Sequence, residues 1–151
     1  MREIEAGAKR LAQVILGASH LAQSAVPKLL EKGDTSVDEW KAELRRTLEG
    51  QANFLVAGLS AIPGLQVLDS QGAMYLMARI DAEQFDESIR SDLDFCKLLL
   101  EEENVFALPG TCFGVEKTVR LVFCAPIPVL GQATARIQEF CHRHRCCAAG
   151  T

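Results

Sequence analysis

The chain has 151 residues, 48% of them apolar and 24% charged, with a formal net charge of −4. That balance excludes a disordered or collagen-like polymer and suits one ordinary globular domain, able to bury roughly 70% of its unfolded surface without disulfides or metal. Charges of both signs are scattered along the chain, which gives no nucleic-acid footprint, and no apolar run reaches the roughly eighteen residues of a membrane span.

The elements follow from periodicity. From Ile4 to Leu30, apolar positions recur at helical spacing in two segments separated at Gly17, with Pro27 late in the second and Gly33 beyond it. Val37, Trp40, Leu44, Leu48, Gln51, Leu55, Leu59 and Ile62 then recur at steps of three and four, one face of a single long helix. Ser36 with Glu39 reads as its capping box, and Pro63-Gly64 closes it.

After Gly64 the period falls to two. Leu65 to Leu68 reads as a strand, Ser70-Gln71-Gly72 as a turn, and Ala73 to Ile80 as a second strand. Met74, Leu76, Ala78 and Ile80 share one face of it, and Ala73, Tyr75 and Met77 the other. Both faces are apolar, so the pattern predicts protein covering both sides, as in a sandwiched or an interface strand. Ser91 with Asp94 opens a helix through Cys96 and Leu99 to Glu101-Glu102-Glu103. Val105 to Leu108 reads as a third strand stopped by Pro109-Gly110, and Thr118 to Cys124 as a fourth. A last helix starts near Pro128 and presents Leu130, Ala133, Ile137, Phe140 and Cys141, and the tail from Arg145 is expected to fray.

The expectation is an α+β fold: a helical segment over 1–34, a long linking helix over 35–63, a β-β-α-β-β-α small domain over 64–145, and a tail over 146–151. The cysteines stand at 96, 112, 124, 141, 146 and 147, three of them in apolar runs, which favours free thiols in a reducing compartment. Acidic residues in Met1-Arg2-Glu3-Ile4-Glu5 argue against a presequence, so a cytoplasmic location is expected, with mitochondria left open.

Few residue groups carry chemistry. His142, His144, Cys146 and Cys147 crowd the C-terminus, but they lack the spaced pairs of a zinc site and read as a core stripe followed by a basic tail, so no metal ligands are assigned. Cys112 beside Phe113 reads as a loop thiol with no histidine near it in sequence. The glycines match no phosphate-binding loop. Arg120 is different, because it interrupts the apolar run Val119-Arg120-Leu121-Val122-Phe123. A guanidinium on a central strand needs a carboxylate partner. That partner is either a ligand held by the planar fork, a local Asp or Glu, or solvent reached from an edge strand.

Read in order, several phrases resemble the tyrosine aminotransferases, a branch of the fold-type I pyridoxal-phosphate aminotransferases. They are Leu11-Ala12-Gln13-Val14-Ile15-Leu16-Gly17, Leu59-Ser60-Ala61-Ile62-Pro63-Gly64-Leu65, Gly72-Ala73-Met74-Tyr75-Leu76-Met77, Leu108-Pro109-Gly110-Thr111-Cys112-Phe113, Val119-Arg120-Leu121-Val122 and Arg136-Ile137-Gln138-Glu139-Phe140-Cys141. The resemblance runs almost end to end and implies the carboxy-terminal portion of such an enzyme. It also implies that Arg120 binds the α-carboxylate of the amino or oxo acid, with Tyr75 and Pro109-Gly110-Thr111 towards the cleft.

The activity implied is transfer of an amino group from an aromatic amino acid, tyrosine above all, to a 2-oxo acid such as 2-oxoglutarate, with pyridoxal 5'-phosphate as cofactor in a homodimeric enzyme. The residues that handle that cofactor in the family have no counterpart here. Lys9, Lys28, Lys32, Lys41, Lys97 and Lys117 all lack the sequence context of the Schiff-base lysine, and Gly17-Ala18-Ser19-His20 replaces the family's usual Gly-Pro-Cys-Thr. The chain by itself is therefore expected to be inactive. A non-catalytic binding or regulatory module and a truncated gene product stand as alternatives.

Overall fold

In the computed structural model, residues 2–15, 17–31, 33, 35–68 and 70–146 are described. The chain divides into two compact units, Met1–Glu43 and Leu44–Thr151. The first holds α1 (Arg2–Ile15), α2 (His20–Leu29) and the opening turns of α3 (Ser36–Ser60). Ile4, Leu11 and Val14 of α1 and Leu21, Val26 and Leu29 of α2 are exposed, Ile4 at 76% and Leu21 at 84%, while Val37 of α3 is half-buried. Ser36 is the first residue of α3 rather than its cap. The Thr35 hydroxyl, one residue earlier, donates to the Glu39 carboxylate at 2.7 Å.

In the second unit a four-stranded antiparallel sheet runs in the order β1-β2-β4-β3, with β1 (Leu65–Val67), β2 (Tyr75–Ile80), β3 (Leu108–Pro109) and β4 (Thr118–Val122). The inner face carries Leu76, Ala78 and Ile80 from β2 and Val119 and Leu121 from β4, all buried. These join one core with Leu55 and Leu59 of α3, with α4 (Asp92–Glu103) and with α5 (Ile127–Arg143). Phe95 anchors this core, meeting Phe85 at 5.9 Å and Phe140 at 5.2 Å edge to face. Such pairs add about 0.5–1.5 kcal/mol beyond the area they bury.

α4 starts as its pattern predicts. The Ser91 hydroxyl accepts from the Asp94 amide at 3.1 Å and donates to the Asp94 carboxylate at 2.7 Å, satisfying one of the orphan donors at the helix start. α5 and α3 meet at Gly58, where an added Cβ would fall 2.6 Å from Cγ2 of Thr134. No described helix is long and apolar enough to cross a membrane.

Two expectations need correction. The face of β2 carrying Tyr75, Met77 and Arg79 has no layer over it among the described residues: Tyr75 is 42% exposed, Arg79 is exposed and Met77 is half-buried. The apolar run reported one buried face and one site face, and periodicity cannot tell those apart. Next, Val105 and Ala107 are buried and extended but unpaired, and only Leu108 and Pro109 join the ladder. Pro109 takes part at an edge, where its missing N–H costs nothing. Along α3 the apolar stripe is buried only in its C-terminal half; Trp40 is 63% and Leu44 41% exposed. At the far end, Arg145 bridges Phe85, and Cys146 donates its amide to Gln84 at 3.0 Å. Residues 147–151, most of the predicted tail, lie outside the described residues.

Candidate functional site

Arg120 sits in the middle of β4, with Met77 of β2 beside it on one side and Leu108 of β3 on the other. A strand turns alternate side chains to opposite faces, so Val119 and Leu121 fill the core while Arg120 points to the open face. It is therefore on an inner strand and is not an edge residue reaching for water. No acidic side chain pairs with it among the described residues, and its Nε is buried without a hydrogen-bond partner.

What holds the guanidinium is aromatic. Its Cζ lies 4.2 Å from the centre of the Phe113 ring and 4.8 Å from that of Tyr75. Both rings are partly open to solvent, at 46% and 42% exposure. Contacts of this kind engage the guanidinium carbon and leave its N–H groups able to meet an anion, which a carboxylate does with two parallel hydrogen bonds. Arg120 is thus a half-buried cation without an acidic partner among the described residues.

Tyr75 is placed by β2, two residues before Met77. Phe113 comes from a 3-10 turn, Gly110–Phe113, between β3 and β4. Two fastenings set that turn. At its start, the buried Asp92 carboxylate accepts from the Thr111 amide at 2.8 Å and from the Thr111 hydroxyl at 2.7 Å. At its base, Gly110 packs so closely on β4 that a Cβ there would stand 1.9 Å from Oγ1 of Thr118 and 2.3 Å from the carbonyl oxygen of Val115. Thr118, itself buried, donates its hydroxyl to that same Val115 carbonyl at 2.7 Å.

The sequence singled out Arg120, and placed Tyr75 and the Pro109-Gly110-Thr111 turn nearby only through resemblance. It missed Phe113 as the ring on Arg120 and Asp92 as the tie to Thr111. Nineteen residues separate Asp92 from Thr111. No local pattern signals such a tie. A groove of about 550 Å³ opens elsewhere in the unit, between α3 and the turn before β2, lined by Arg45, Asn53, Gly72 and Phe123 among others. Arg120, Tyr75 and Phe113 stand together beside the open face of the sheet.

Of the other reactive groups, several have structural partners or are closed off, while the Cys112 and Cys124 thiols are exposed. Burial pushes the Cys96 and Cys141 thiols up to about 12, so neither is a nucleophile near neutral pH. Among the described residues no histidine pairs with the exposed Cys112. His144 is fastened between Asp86, at 3.0 Å from Nδ1, and Glu102, at 2.9 Å from Nε2, while the Cys146 thiol donates to the Phe85 carbonyl. Cys147, the last of the cluster, lies outside the described residues.

This cluster gives a pH prediction. Bonds from the Ser88 side chain and amide, then His144, hold Asp86 below the ordinary carboxylate range, and Arg143 followed by His144 does the same for Glu102. Lowered carboxylates stabilise the fold above their unfolded values and lose that contribution as pH falls through the folded ones. The urea midpoint should therefore drop as pH goes below about 4, and Asp86→Asn with Glu102→Gln should flatten the drop. An identical pH profile in the double variant would contradict this.

With this geometry in view, the class of protein is clear from comparison. The family model for aminotransferase class I and II matches residues 1–137, and the chain belongs to that family. The resemblance is to one branch in particular. Tyrosine aminotransferase of Dictyostelium discoideum is 45% identical over 135 residues, covering 89% of this chain and 32% of that protein. The Mus musculus tyrosine aminotransferase is 38% identical over 149 residues, covering 99% and 32%. The crystal structure of tyrosine aminotransferase from Leishmania infantum superposes with a TM-score of 0.78 at 34% identity, covering 93% of this chain and 33% of that one. The chain spans about a third of the length of these relatives. The α+β expectation agrees with the antiparallel sheet and its helices, and with that superposition.

Proposed function

We propose that this chain supplies the substrate-carboxylate wall of a pyridoxal-phosphate-dependent aminotransferase that moves the amino group of an aromatic amino acid, tyrosine first, to a 2-oxo acid such as 2-oxoglutarate. The observation that carries this is Arg120: central in the sheet, unpaired with any described acid, and faced by two rings. The kinship with tyrosine aminotransferases supports the choice of donor.

In this reading Arg120 is a positioning group. Two parallel N–H···O bonds fix the carboxylate and hence the α-carbon beside it, so the reacting bond is presented in one orientation. Amino donor and oxo-acid acceptor both carry an α-carboxylate, so one residue serves both half-reactions. Tyr75 and Phe113 keep the fork flat and shield it from water, which strengthens its hold on an anion.

The cofactor would supply the electron sink for such a transfer. The residues described here do not fit it. All five described lysines are exposed, with Lys9 tied to Glu5 at 2.8 Å and Lys41 near Asp38 at 3.7 Å. We propose accordingly that the 151-residue polypeptide is inactive alone and works only with polypeptide bearing the cofactor site. The exposed apolar side chains of α1, α2 and the first turns of α3 fit surfaces that such polypeptide covers.

The test is a chimera in which this chain replaces the matching third of the Dictyostelium discoideum relative. Transamination of tyrosine with 2-oxoglutarate is expected from the chimera, and none from the 151-residue chain given pyridoxal phosphate. A folded, cofactor-loaded chimera that turns over neither substrate would overturn the assignment, and tyrosine-dependent turnover by the chain alone would overturn its inactivity.

A further inference from the structure

We infer that Asp92 is a positioning residue for the carboxylate site, setting the plane of the Arg120 guanidinium through Thr111 and Phe113. The inference rests on the reading of Arg120 as the carboxylate-binding group, but its first readout does not depend on that reading.

Asp92 has no local task that explains its burial. Capping of α4 is already performed by Ser91, whose hydroxyl takes the Asp94 amide. A buried carboxylate is costly unless its oxygens are engaged. Here both are engaged by one residue, Thr111, across the space between α4 and the 3-10 turn. Being in the first turn of α4, the carboxylate also meets the positive end of the helix dipole. The tie therefore anchors a turn belonging to the site.

That turn ends in Phe113. Among the described residues Arg120 makes no hydrogen bond or ion pair, so no polar contact there sets the angle of its fork; ring contacts do. Tyr75 rides on a paired strand and is fixed by the ladder. Phe113 rides on a turn with no ladder, closed by the bonds of the Gly114 and Val115 amides to the Thr111 and Gly110 carbonyls and fastened to the rest of the unit at its start, by Asp92 on Thr111 and by the packing of Gly110 on Thr118. Of the two rings, Phe113 is thus the one whose place depends on a removable side-chain bond. Loosening it frees the guanidinium to rotate away from the plane in which a carboxylate is met edge-on.

The experiment uses the 151-residue chain labelled with ¹⁵N at arginine Nε, with the Arg120 signal assigned by its loss in Arg120→Lys. Without ligand, Asp92→Asn and Thr111→Val are each expected to move the Arg120 Hε resonance out of its ring-shifted position and to speed guanidinium rotation. Thr111→Ser, which keeps the hydroxyl, should leave both as in the wild type. In a Phe113→Leu background Asp92→Asn should add nothing further, since the route runs through that ring.

Titration with 3-(4-hydroxyphenyl)propionate should then show affinity weakened roughly three- to tenfold in Asp92→Asn and Thr111→Val, the scale of one cation–π contact. Folded variants with an unmoved Arg120 resonance would overturn the inference. Should Asp92→Asn fail to fold, Thr111→Val decides. An Arg120 resonance in the wild type that ignores the carboxylate probe would instead overturn the carboxylate reading, while the ligand-free shifts still decide the role of Asp92.

Discussion

Arg120→Lys in the chimera is expected to lower kcat/KM roughly ten- to a hundredfold for both tyrosine and 2-oxoglutarate, the worth of one to two charge-assisted hydrogen bonds lost or misdirected. Charge is conserved in this change, so a purely electrostatic role would be nearly unaffected. An ammonium is a point charge on a flexible stem and cannot offer two parallel donors in a plane. Nor does it lie flat against Phe113 and Tyr75, whose centres stand 4.2 and 4.8 Å from Cζ. Because both substrates present the same α-carboxylate, the two losses should be alike. Steady-state kinetics for each substrate in turn check this, and wild-type values for both would remove Arg120 from the site. A loss confined to 2-oxoglutarate would mean that Arg120 reads the distal carboxylate.

Gly110→Ala is expected to destabilise the second unit by about 1–3 kcal/mol or more, the usual penalty of forcing an atom into packed space. The clash falls 2.3 Å from the Val115 carbonyl oxygen and 1.9 Å from Oγ1 of Thr118. Thr118 cannot swing aside freely, because it is buried and its hydroxyl is committed to Val115. Backbone must give way, and the backbone that moves carries Phe113. Urea denaturation should show the lost stability, and the same variant should bind carboxylate more weakly. A variant as stable as wild type would mean that the turn is not seated on β4 as described.

Much of the architecture was legible because its causes are local. The Ser91–Asp94 reciprocity needs only three residues of spacing, and it marks the start of α4 correctly. Alternation along β2 and β4 sorts Leu76, Ala78, Val119 and Leu121 onto one face, and these are the residues found in the core. Arg120 stood out for a related reason: a permanent cation in the middle of an apolar strand contradicts its surroundings. Val105 to Leu108 misled because burial and extension produce the same apolar run whether or not a strand lies alongside to pair with it. At the Trp40 end of α3 the stripe says which side of the helix is apolar and says nothing about what covers it.

By itself, then, the amino-acid order determined the helices, the strand faces, the odd arginine and, by wording, the family. Each of these depends on neighbours within a few positions along the chain. Tertiary structure alone decided that Arg120 is flanked by β2 and β3, that no described acid reaches it, that Phe113 and Tyr75 lie against it, and that Asp92 holds the turn bearing one of those rings. These contacts join residues from seven to several tens of positions apart, most of them brought together by burying the core. Distance in sequence carries no record of which way a guanidinium finally faces.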